Sequence, residues 1–174
     1  MAGEETGFQG VVQKMEDVAG GLLGRASAAM ATDARTFVEN ASISDLYEIA
    51  AGELALTRAM SEDVRSMAKM MVQDHQASSQ RLHGLVGHDP DLVPPSVLDT
   101  RRQTMMKHLM DATETFDSTY VDQQVMAHQE AVTLMHSYRD RGDDAALRGF
   151  AAETAPVIER HLEHMKQLKS SMAR

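Results

Sequence analysis

Four ionisable side chains stand where apolar residues belong. In "MMVQDHQASSQRL", residues 70–82, His75 shares its helical side with Val64, Ala68, Met71, Val72, Leu82 and Val86. His128 is surrounded at the same spacing by Val121, Val125, Ala131, Val132 and Met135, with Asp117 and Gln124 on the same side. His161 lies among Leu147, Phe150, Val157, Ile158, Met165 and Leu168. Glu48 sits on a face of small residues that includes Ala41, Ser44, Ala51, Gly52, Ala55 and Ala59. Each of four helices thus aims one titratable group inward. A buried, ionised carboxylate must be paired, hydrogen-bonded or metal-bound. Three imidazoles and one carboxylate suit a divalent transition ion such as Zn²⁺, Fe²⁺, Mn²⁺ or Cu²⁺. The alternative is a Glu–His hydrogen-bond network that holds no ion and only fixes helix register.

Several further residues border this set. Asp74 projects about 100° away from His75 and reads as a flanking hydrogen-bond or salt-bridge partner. Glu48 and His75 lie at similar distances from the turn at residues 60–61 and share a layer. His128 and His161, counted from a turn at 140–143, differ by about six residues, or roughly 9 Å of rise. That offset brings His161 nearer the level of Val121 and makes Asp117 a candidate partner for it. His164, three residues after His161, points off to the side. "MMKHLM", residues 105–110, sets thioethers beside His108 and would suit Cu(I), but with 14 methionines in the chain core filling is the stronger reading.

The elements that must position these groups are all helices. Helical periodicity runs from Ala34 to about Met60 and over about 62–87, with Ser61 as N-cap. "VGHDPDLVPP" is a loop, a shorter helix follows over about 96–110, and "DATET" breaks the pattern. Helices over about 116–140 and 144–171 complete the set, with Asp143 or Asp144 as cap and Pro156 expected to bend the last. Short connections favour antiparallel neighbours, so the expected architecture is an all-α four-helix bundle over residues 34–171 with one extra short helix. Residues 1–30 read as an amphipathic arm bearing Phe8, Val11, Val12, Met15, Val18 and Leu22, weakened by Gly20, Gly21 and Gly24. The arm is expected to pack on the body or on a second copy, which would make the protein a homo-oligomer.

Composition narrows the function classes. Of the 174 residues 43% are hydrophobic but only 4% aromatic, as an Ala/Leu/Val/Met helical core would have. The net charge of −9 argues against nucleic acid and anionic lipid as partners and favours cations. The absence of cysteine excludes thiol catalysis, thiolate-ligated metals and disulfides. No apolar run approaches the ~20 residues that span a bilayer. "MAGEETGFQG" lacks a signal-peptide pattern, so the expected compartment is the cytoplasm, or the periplasm if a signal was removed.

Three segments, "ALTRAMSEDVRSMAKMMVQDHQASSQRL", "FDSTYVDQQVMAHQEAV" and "AAETAPVIERHLEHMKQL", occur in an order that resembles an uncharacterised bacterial family of ferritin-like four-helix proteins, catalogued as a domain of unknown function and sometimes labelled a predicted outer-membrane protein. The resemblance covers about residues 34–170. Its motif positions fall on Glu48, Asp74, His75, Asp117, Tyr120, His128, Pro156 and His161. It implies the fold and a metal or polar site without implying a reaction. Di-iron ferritins need Glu-x-x-His on two helices, and no histidine here has a glutamate three residues before it. A ferroxidase or storage cage is therefore not expected. The expected role is to hold an ion for sequestration, delivery or stress protection; an oxidoreductase using the metal and Tyr120 is a second alternative.

Overall fold

The computed structural model describes residues 2–173, with side chains from residue 9 onward. The described residues form six helices: α1 (Ala2–Met30), α2 (Ala34–Arg58), α3 (Glu62–Val86), α4 (Thr100–Asp111), α5 (Phe116–Arg141) and α6 (Ala145–Met172). No strand occurs among the described residues. Four of the helices start where a side-chain oxygen takes up an otherwise unpaired backbone N–H. Asp33 accepts from Thr36 N–H at 2.9 Å, Ser61 from Val64 at 3.5 Å, Asp99 from Arg102 at 2.6 Å and Asp144 from Leu147 at 2.8 Å. The cap at Asp99 starts α4 four residues later than expected, because residues after the two prolines remain irregular until that carboxylate is reached. Pro156 lies inside α6, which continues through it.

Helix α2 packs on α3, α5 on α6, α2 on α5 and α3 on α6, so these four long helices enclose a common interior. The three-residue links at 59–61 and 142–144 require each linked pair to run antiparallel. Close approach of α2 to α3 depends on the small-residue face: a Cβ at Gly52 would stand 2.7 Å from Val72 Cγ2 and 3.2 Å from the Ala68 carbonyl.

The apolar interior falls into two clusters, and the order along each helix shows what separates them. On α3 one cluster ends at Met71 and the other begins at Leu82, with His75 between. On α5 the first ends at Ala127 and the second begins at Leu134, with His128 between; on α6 His161 lies between Ala155 and Met165. A polar layer therefore crosses the bundle between two greasy halves.

Helix α1 departs from expectation in two ways. It runs unbroken across Gly20, Gly21 and Gly24, each of which faces a side chain of another helix. A Cβ at Gly20 would meet Arg101 Cδ at 3.4 Å, one at Gly21 would meet Met126 Cβ at 3.5 Å, and one at Gly24 would run into the Glu130 carboxylate. The apolar stripe does not pack on the body. Val11, Met15, Val18 and Leu22 are between 44% and 68% exposed, while Asp17 and Ala28 on the opposite side are buried. Phe8 lies outside the described side chains.

Asp17 gives that inner face a polar fastening. One of its oxygens bonds His108 Nδ1 of α4 at 2.9 Å, and the other accepts from Gln123 Nε2 of α5 at 2.7 Å. Gln123 Oε1 in turn accepts from Tyr47 O–H of α2 at 2.9 Å. His108 is thus engaged with a carboxylate, and Met105 next to it packs in the core. No described helix is long and apolar enough to cross a membrane.

Candidate metal centre

His75 of α3, His128 of α5 and His161 of α6 converge in the polar layer. Their ring centroids lie 5.6 Å (75–128), 5.7 Å (75–161) and 5.5 Å (128–161) apart. One ring nitrogen from each lies within 4.8 Å of the others, and all three residues are no more than 3% exposed. A tetrahedral ion with metal–nitrogen bonds of about 2 Å holds its nitrogens about 3.3 Å apart, so small side-chain rotations would close the triad on a cation.

Each ring is already held by one nitrogen and has the other unpaired. His75 Nδ1 bonds Asp45 Oδ1 of α2 at 2.8 Å, His128 Nδ1 donates to the Gln124 carbonyl at 2.9 Å, and His161 Nε2 bonds Asp74 Oδ2 of α3 at 2.9 Å. His75 Nε2, His128 Nε2 and His161 Nδ1 are buried without a partner. Buried polar atoms are ordinarily satisfied. Three orphaned imidazole nitrogens, each opposite an acceptor that fixes the tautomer, form the pattern by which histidines ligate metals. The donor set fits a divalent transition ion.

The electrostatics agree. Burial and the nearby His75 hold His128 down at a pKa of about 3, and burial with the His128 charge holds His161 at about 4. Both are neutral near pH 7, as ligation requires. His75 moves the other way: burial works to lower its pKa, but the hydrogen bond and charge of Asp45, with Glu48 and Asp74, outweigh it. Burial raises both Asp45 and Glu48 above the ordinary carboxylate range, partly offset by His75. A dication here would relieve the crowding of these two carboxylates.

The remaining residues singled out from the sequence are distributed as follows. Glu48 is buried in the same layer, but its Oε1 stands 3.6 Å from His128 Nδ1, beside that ring and outside the three-nitrogen cluster. Both Glu48 oxygens lack a hydrogen-bond partner. Asp74 is a partner of His161, as its flanking position suggested. Asp117 is not: its two oxygens accept from the N–H groups of Met60 and Ser61 at 3.0 and 2.8 Å and fasten the α2–α3 turn. Tyr120 is fully buried near Glu48 with an unpartnered hydroxyl, whose pKa burial and the Glu48 charge raise well above the ordinary value. His164 is exposed. Asp45 was missed, although it lies three residues before Glu48 and so shares its face.

A protein-family model described as "Domain of unknown function (DUF4142)" matches residues 22–168. No curated protein and no solved structure matches the chain.

Proposed function

The chain belongs to the DUF4142 family, and we propose that it is a metal-binding helical bundle of ferritin-like architecture that holds one divalent transition ion in its core for sequestration. His75, His128 and His161 are the proposed ligands, with Glu48 as the adjacent compensating carboxylate. The observations that carry the reading are two: one ring nitrogen from each of three buried histidines lies within 4.8 Å of the others, and each imidazole is held through one nitrogen while its other has no partner. A single ion accords with the absence of any Glu-x-x-His pair. A purely structural Glu–His network is the competing reading, and the Asp45–His75 and Asp74–His161 bonds are compatible with it as well.

Thermal unfolding separates the two. Untagged protein is melted with chelator and with Zn²⁺, Mn²⁺, Fe²⁺ or Cu²⁺. An ion at a hundred times its Kd stabilises by about 2.7 kcal/mol. In a chain of this size that raises the Tm by roughly 5–10 °C. The shift is expected in the wild type and absent in His75→Ala and His128→Ala. A wild-type Tm that no ion moves would leave the network reading standing.

A further inference from the structure

We propose that the cavity between α3 and α6 is the site of a small exogenous ligand, water or a monodentate anion exchanging with it, bound to the ion at the position the three imidazoles leave free. The inference rests on the metal reading above and deepens it. Three nitrogen donors fill three places of a tetrahedral ion, and a fourth taken by solvent distinguishes an open site from a closed structural one. Glu48, the obvious competitor, stands beside His128 and lines no part of this cavity.

The cavity has a volume of about 160 Å³ and opens to the surface. His75 and His161 both line it, as does Asp74, which holds His161 Nε2. Its volume far exceeds the roughly 10–15 Å³ that admits one water, yet is too small for an extended metabolite. One wall carries Thr154, which is 5% exposed and whose Oγ1 has no hydrogen-bond partner. A hydroxyl buried at this depth ordinarily finds a partner, and a ligand on the ion would supply one. At the rim, Arg81 is already engaged, 2.5 Å from Glu153 and over the Phe150 ring, so the cavity does not demand a multiply charged anion.

The test uses the full chain loaded with Co²⁺, whose visible bands report the coordination sphere, titrated with sodium azide, with bound cobalt counted by equilibrium dialysis. The expected result is a saturable spectral change without loss of cobalt. Thr154→Val should weaken azide by about fivefold, the loss of one ordinary hydrogen bond. Ala77→Phe and Val157→Phe, each placing a ring in the cavity from a different helix, should bind cobalt stoichiometrically and lose the azide response. If one of these fails to fold, the other carries the comparison. A wild-type spectrum indifferent to azide overturns the proposal, as does a full response in both filled variants or extraction of cobalt by azide. Failure to bind cobalt at all is a separate outcome that removes the metal reading itself.

Discussion

The pH dependence of ion binding should betray how unequal the three histidines are. Three ordinary imidazoles, with pKa 6.5, would each be protonated about thirtyfold over the neutral form at pH 5. Displacing all three protons would weaken an ion by about 30,000-fold there, roughly 6 kcal/mol, and by about 500-fold between pH 6 and pH 5 alone. Here His128 and His161, held at about 3 and about 4, are almost wholly neutral in that interval. Rings 5.5–5.7 Å apart do not all charge together, and the one proton the group binds sits on His75, whose pKa is raised. As pH falls through that raised value, affinity should drop by one decade per unit, so about tenfold between pH 6 and pH 5. Competition with a chelator of known pH dependence gives the affinity, and calorimetry in buffers of different ionisation enthalpy counts the protons. About one proton released per ion at pH 5.5 is expected. A release of two or more, or a loss of hundreds-fold over that unit, would refute the assignment of charge within the triad; no pH dependence would refute His75 as a ligand.

Two further substitutions test what surrounds the site. Asp45→Asn keeps the shape but removes the charge that orients His75, and should weaken ion affinity by roughly 10–100-fold while circular dichroism still reports a folded helical protein. Asp17→Ala strands His108 and Gln123 without their shared acceptor and should lower stability in urea by about 1–3 kcal/mol, with ion affinity unchanged.

Helical periodicity located α2, α3, α5 and α6 to within two residues or so, because each carries an apolar stripe that only a common interior could bury. The cap at Ser61 was equally legible and that of α6 was narrowed to Asp143 or Asp144, of which Asp144 serves, since short polar side chains before an apolar run have a mechanical reason to be there. Helix α1 was not. Three glycines within five residues signal weakness when only propensity is counted, yet each faces a side chain of another helix, and at Gly24 the Glu130 carboxylate leaves no room for a Cβ. Its exposed stripe and buried Asp17 invert the usual expectation, and nothing local to the sequence announces that Asp17 will meet His108 and Gln123 some ninety and a hundred residues later.

The depth of the histidines shows what one-dimensional counting leaves out. From assumed turn ends the offset between His128 and His161 came to six residues, which pointed His161 at Asp117. From the actual ends, His128 lies 13 residues before Arg141 and His161 lies 16 after Ala145, an offset of three residues and roughly 4.5 Å. Helix boundaries uncertain by one or two residues at each end were enough to double the apparent gap. Side-chain direction closes much of the rest. Helical side chains lean toward their own N-terminus, which carries the His128 ring away from the α5–α6 turn and the His161 ring toward it. The two imidazoles therefore reach one layer with centroids 5.5 Å apart, while Asp117, a further three turns toward the start of α5, is left to fasten the α2–α3 turn.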